Sequence, residues 1–179
     1  DASVDVVATR AVLVYVADKA KAFQEFYRVL KPGGRISLGE PIFQDEAFEA
    51  CALATLVESR PNHPDIDFLK LVHRYRAAQF PSTQAEAMRN PITNYNERDL
   101  FRFAREAGFR QIHRELHVDL KPALPISWEA YLDVASHPWA LTLREIMERS
   151  FSAEERARFE RLLRPVMESG QSEQKQLNA

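Results

Sequence analysis

The chain has 179 residues, 45% of them apolar and 28% charged, with a formal net charge of -2. That composition is ordinary for a soluble globular protein, wrong for a disordered one, and sized for one domain with a sizeable core. A sequence pI near 6.3 gives no reason to expect a nucleic-acid binder.

The basic residues are spread widely, and Arg102, Arg105, Arg110 and Arg114 read as a solvated face. Cys51 is the only cysteine, which excludes an internal disulfide and a zinc cluster. Its flanks, Ala50, Ala52, Leu53 and Ala54, point to a small buried residue rather than a nucleophile. A reducing, cytoplasmic setting fits. The longest apolar stretch, residues 11–17, falls far short of the ~20 residues a membrane span needs. No basic-then-apolar leader opens the chain, which starts with Asp directly before a strand-like run, as if its beginning were cut away.

Residues 4–8 form a short β-branched run, the pattern of a buried parallel strand, broken by Thr9 and Arg10. Residues 11–16 continue apolar into a loop or short helical turn. Asp18 is a good N-cap for a helix over 19–30. Ala22, Phe23, Phe26, Val29 and Leu30 form its apolar face, with Lys19, Lys21, Gln24, Glu25 and Arg28 on the other side. Gly33 and Gly34 would then supply a left-handed C-cap, and Lys31 a cation at the negative end of the helix. Residues 35–39 are the next strand, implying a right-handed parallel crossover.

The next fifty residues, 44–95, read as helix and loop: helices over 45–58 and 67–80, with a weaker one over 82–88. Phe48, Ala52, Leu56, Leu69, Val72 and Arg76 mark the inner faces. So long a connection suits a lid or substrate wall, or equally a helical decoration. A helix starting at Asn96, with Asp99 in a capping-box position, ends at Gly108. Residues 111–120 alternate: Ile112, Leu116, Val118 and Leu120 on one face, His113, Glu115, His117 and Asp119 on the other, as in a half-exposed strand. Helices follow over 127–135, 142–150 and 152–167, with capping boxes at Thr142/Glu145 and Ser152/Glu155. Pro165 should kink or end the last one, and 170–179 should fray.

Three quoted stretches carry a resemblance: Val4-Asp5-Val6-Val7; Tyr15-Val16-Ala17-Asp18; and Phe26-Tyr27-Arg28-Val29-Leu30-Lys31-Pro32-Gly33-Gly34-Arg35. Together with Ile36-Ser37-Leu38-Gly39-Glu40-Pro41, they resemble the second half of the class I S-adenosylmethionine-dependent methyltransferase domain. The closest likeness is to the small-molecule branch that includes quinone-biosynthesis enzymes. Residues 96–118, with Ala107-Gly108-Phe109, resemble that family's helix and sixth strand. The resemblance implies an α/β fold: a partial Rossmann-like doubly wound sheet, its fourth to sixth strands, with a helical insertion and a helical C-terminal segment. On this reading 1–43 is the second half of the core and 44–95 the insertion. Residues 96–120 are core helix and sixth strand, and 121–179 the C-terminal segment.

The family's glycine-rich cofactor turn and the acidic residue after its second strand have no counterpart. Gly33, Gly34, Gly39, Gly108 and Gly170 make no Gly-x-Gly turn after a strand. The family's last, antiparallel strand is absent or only begun near 174–179. Truncation at both ends is therefore expected.

The implied reaction is methyl transfer from S-adenosyl-L-methionine to a small-molecule acceptor. Alignment of donor and nucleophile supplies much of the acceleration, and a base is needed only where the acceptor must lose a proton. By resemblance Thr9, Arg10, Ala11 and Val12 flank the cofactor's methionine portion, unless Arg10 simply pairs with an acid such as Asp18. Tyr15, Glu40 and Ile42 border the acceptor, with packing and ion pairing as the plainer roles of Tyr15 and Glu40. Tyr15, Glu40, His63 and His73 are the candidates for an acid or base. His113 and His117, about 13 Å apart along a strand, cannot chelate one ion, and no metal is expected. His137 reads as a loop residue. The partners expected are a small-molecule acceptor and no nucleic acid, with no membrane span. The competing reading is a non-catalytic remnant or interaction domain keeping half the fold.

Overall fold

β1 (Val4–Arg10) leads through a short 3-10 turn, Leu13–Tyr15, into α1 (Lys19–Val29), and the chain returns along β2 (Leu30–Gly39). β1 and β2 pair in parallel, as the strand–helix–strand order requires. α2 (Gln44–Ser59), α3 (Ile66–Ala77), α4 (Gln84–Ala87) and α5 (Glu97–Ala107) come next. β3 (His117–Pro122), α6 (Trp128–Leu132), α7 (Leu143–Ser150), α8 (Ala153–Ser169) and β4 (Glu173–Asn178) complete the order. β3 pairs with β4 in a second two-stranded sheet. This computed structural model describes the backbone of residues 2–170 and 173–179, and their side chains except those of 173–177.

The chain forms two compact units. Asp1–Asp45, Met88–Asp119 and Gln176–Ala179 make up one; Glu46–Ala87 and Leu120–Lys175 make up the other. In the first, α1 and α5 pack together, and Leu13, Phe23, Ile42, Ile92, Tyr95 and Leu100 centre the core. In the second, α3, α6, α7 and α8 enclose Phe159, whose ring meets Phe68, Tyr75 and Phe151 at 5.9, 6.1 and 5.3 Å between centroids.

Several expectations are corrected. Thr9 and Arg10 do not break β1; they pair with Leu38 and Gly39, because a parallel partner satisfies their backbone. The strand is not buried: Val6 is 59% exposed, with β2 its one strand neighbour among the described residues. The glycine pair does not cap α1, which ends on an extended Leu30. Residues 31–34 instead form an irregularity inside β2, where register jumps from Val4↔Leu30 to Val6↔Arg35. Gly33 sits there at φ +83°, and a Cβ on Gly34 would come within 3.0 Å of the Asp5 carbonyl. Lys31 reaches Asp5 at 3.0 Å rather than serving the helix end.

The inner face of α2 is also offset from expectation. Ala47 and Ala50 are buried, whereas Phe48 and Ala52 are exposed. On α3, Leu71 carries the burial, flanked by Phe68, Val72 and Tyr75. Arg76 lies over the Phe80 ring and ion-pairs with Glu46. Cys51 is half-buried, its Sγ against the Pro81 carbonyl.

The alternating run 111–120 yields strand only from His117, since among the described residues no ladder partner lies beside 111–116. α8 continues through Pro165 to Ser169 and closes on a left-handed Gly170. The tail does not fray throughout: 173–178 is strand, paired with β3. All three capping boxes, at Asn96, Thr142 and Ser152, form as expected.

Candidate functional site

The carboxyl ends of parallel strands are where open α/β sheets bind ligands, because loops leaving neighbouring strands diverge there. Here those ends are Arg10 and Gly39, and two chain exits meet around them. Leaving β1, Ala11 takes φ 51°, a left-handed conformation costing a non-glycine residue about 1–2 kcal/mol. Its N–H donates to the Gly39 carbonyl at 2.8 Å, fixing the first step of the loop on β2. Backbone strain of this kind persists only where surrounding contacts hold it.

Glu40, the residue after β2, supplies the next contacts. Its carboxylate is 0% exposed. Oε1 accepts from Thr9 Oγ1 at 3.1 Å and from the Val12 N–H at 3.2 Å, and Oε2 accepts from the Val14 N–H at 3.2 Å. A buried carboxylate needs such donors to remain charged. The Glu40 backbone is occupied as well, exchanging both hydrogen bonds with Ala179 at 2.7 and 2.9 Å.

On the other side of the loop stands Lys19, 3% exposed at the first position of α1. A cation there opposes the helix dipole. It is held by the carbonyls of Val16 at 2.9 Å and Pro91 at 2.6 Å, more loosely by Asn94 Oδ1 at 3.5 Å, and by the Tyr95 ring at 4.4 Å. Burial brings its pKa down to about 8, with the charge of Glu40 pulling the other way. Tyr95 is wholly buried and donates its hydroxyl to the Pro41 carbonyl at 2.7 Å. Burial, and then Glu40, raise the pKa of both Tyr95 and Tyr15. Two opposite buried charges therefore frame one short loop.

The structure brings Thr9, Arg10, Ala11, Val12, Tyr15, Glu40 and Ile42 into one neighbourhood at the strand ends. Arg10, Ala11 and Val12 are exposed and available to a ligand; no Arg10–Asp18 ion pair forms among the described residues, and Asp18 caps α1 through Lys21 N. Tyr15 is half-buried. Ile42 lies in the core, 3% exposed.

His63 and His73 belong to the other compact unit. His63 Nδ1 accepts from the Asp65 N–H at 3.1 Å, and His73 Nε2 is buried without a hydrogen-bond partner among the described residues. Glu115 joins His113 and His117 at 2.8 and 3.1 Å on the surface, and no metal-binding cluster occurs among the described residues. His137 lies in a loop, as expected, and is buried there: Nε2 meets the Gln79 carbonyl at 3.1 Å and its ring packs edge-on against Phe80.

Lys19, assigned by sequence to the solvated side of α1, was misplaced. The signal was present, since 19, 23, 26 and 30 recur at helical spacing, so Lys19 shares the stripe of Phe23 and Phe26. Tyr95 carried no comparable pattern. Two grooves flank other surfaces. One of about 1390 Å³ runs along β2 beside Tyr27, Phe101 and Ile112, and one of about 430 Å³ lies between α3 and α8. Neither is lined by Thr9–Tyr15 or Glu40.

S-adenosylmethionine fits this chain in part. The exposed segment 10–12 at the strand ends can border its methionine end, while the Val12 and Val14 N–H groups are already taken by Glu40. The chain's five glycines provide no phosphate- or ribose-type turn after a strand.

With this geometry in view, comparisons with known proteins are informative. Residues 1–38 match a family described as "Methyltransferase domain", a span that stops one residue short of the end of β2. A protein of Streptomyces fradiae, described as an "Uncharacterized 37.1 kDa protein in transposon TN4556", is 28% identical over 153 residues, covering 86% of this chain. The match covers 35% of that relative, so the chain spans about a third of its length. No solved structure matches the chain significantly. The methyltransferase-like part of this chain is therefore its opening strand–helix–strand unit.

Proposed function

We propose that this chain is the carboxyl-terminal portion of a class I S-adenosylmethionine-dependent methyltransferase acting on a small-molecule acceptor, in the branch that includes quinone-biosynthesis enzymes. The observation that carries the proposal is a coincidence of two spans. The parallel unit β1–α1–β2, Val4 to Gly39, is the part that matches the methyltransferase family over residues 1–38. A mixed α/β chain with this unit suits half of a doubly wound sheet.

In this reading β1 and β2 are the fourth and fifth strands. Thr9, Arg10, Ala11 and Val12 border the methyl donor, whose sulfonium supplies the transferable methyl group when bound. Tyr15, half-buried, stands on the acceptor side, while Ile42 serves the core beneath it. Because Glu40 is enclosed and its oxygens are occupied, Tyr15 is the stronger candidate to orient an acceptor within this loop. Residues 1–179 hold no glycine-rich turn after a strand for the cofactor's ribose and adenine.

The test is calorimetric titration of S-adenosylmethionine into the protein carrying the sequence its gene encodes ahead of Asp1. Micromolar binding is expected there, and weak or no binding to the 179-residue chain alone. Absence of binding to the extended protein would sink the proposal and leave the non-catalytic remnant.

A further inference from the structure

We propose that Glu40 is a positioning residue whose buried charge sets the path of residues 9–14, and through that path the affinity for the methyl donor. The inference rests on the functional reading above, but its structural half can be tested independently. The carboxylate gathers three donors from one loop: the Thr9 hydroxyl, the Val12 N–H and the Val14 N–H. The two N–H groups stand at the entrance of the 3-10 turn Leu13–Tyr15, where the backbone has no earlier carbonyl of its own turn to use. Without Glu40 both would lose this acceptor, the Val14 N–H in a buried setting, and the left-handed Ala11 would be left tied through its own N–H to the Gly39 carbonyl.

Charge matters more than shape here. A carboxylate offers acceptors on both oxygens, whereas a glutamine of the same outline presents an NH2 to one of the two N–H groups. The Thr9 hydroxyl can reverse its role and accept; Val12 and Val14 N–H cannot. The substitution Glu40→Gln thus breaks the clamp selectively. Lys19 supplies a compensating buried positive charge from the far side of the loop. With no exposed surface, Glu40 reaches a ligand only through the loop that it holds.

Two measurements decide the matter. In the 179-residue chain, Glu40→Gln should speed amide hydrogen exchange at Val12 or Val14 by about tenfold or more, with Phe159 and its neighbours in the second unit unchanged. In the gene product extended ahead of Asp1, the same variant should raise KM for S-adenosylmethionine about tenfold and change kcat by less than about threefold. Thr9→Val, which removes a single donor, should move both in the same direction but less. Its effect on KM should disappear in the Glu40→Gln background. Unchanged exchange at both amides overturns the clamp. A kcat collapse with KM unchanged also overturns it, because that pattern belongs to a group acting on the reacting atoms. If the wild-type extended protein does not use S-adenosylmethionine, the functional reading fails, while the exchange result still decides the clamp.

Discussion

Replacing Lys19 with methionine keeps the volume of a long unbranched side chain and removes its charge. At neutral pH the variant leaves the carbonyls of Val16 and Pro91 without this donor and Glu40 without its buried counter-charge. Unsatisfied buried acceptors cost about 1–3 kcal/mol, and relief from burying an ammonium offsets part of that, so a net loss of about 1–2 kcal/mol is expected.

The pH dependence is more diagnostic. Burial holds Lys19 at about 8 in the folded chain, against the ordinary lysine value of 10.5. Between those values the unfolded chain binds the proton and the folded chain does not, so stability rises with pH. The contribution is fully present above about 10.5 and is lost as pH falls through about 8. A full shift of that size corresponds to roughly 3 kcal/mol, and the hydrogen bonds that hold the ammonium reduce the expected gain to roughly 1–2 kcal/mol.

The assay is urea unfolding followed by circular dichroism at several pH values from about 7 to about 10, on wild type and Lys19→Met together. Exposed lysines titrate alike in both proteins, so the difference isolates position 19. That difference should widen as pH rises. A gap that stays flat across the range would refute the assignment of Lys19 as a buried, pKa-shifted group.

Other outcomes follow from the packing. Phe159→Ala removes the ring at the centre of the second unit and should cost about 3–5 kcal/mol by thermal or urea unfolding. Gly34→Ala drives a Cβ to 2.9 Å from Leu30 Cδ2 and 3.0 Å from two carbonyl oxygens, and should lower stability by about 1–3 kcal/mol. Thr142→Ala deletes the N-cap acceptor of α7 and should cost about 1 kcal/mol, recoverable by Thr142→Ser.

The sequence by itself determined the local elements whose causes are local. Asp18, Asn96, Thr142 and Ser152 each cap a helix because the cap and its N–H partners lie within three residues. The β1–α1–β2 order and its parallel pairing were equally legible, since a helix between two strands provides the crossover that parallel pairing needs. So was the neighbourhood of Thr9, Arg10, Ala11, Val12 and Tyr15, which follows from standing after a parallel strand.

What depended on distant partners required the tertiary structure. Residues 111–116 alternate like a strand, yet pairing needs a neighbour, and the ladder begins only at His117. The glycines after α1 read as a helix cap because that is their commonest use; the register against Val4 and Val6 makes them part of a strand irregularity. Glu40 and Lys19 differ most. Sequence places Lys19 on the solvated side of α1 and Glu40 at the border of the acceptor or in an ion pair, yet each is buried because donors or acceptors far along the chain converge on it: Thr9, Val12 and Val14 on Glu40, and Pro91 and Asn94 on Lys19. Burial of a charge depends on its compensation, and that compensation exists only once the chain has folded.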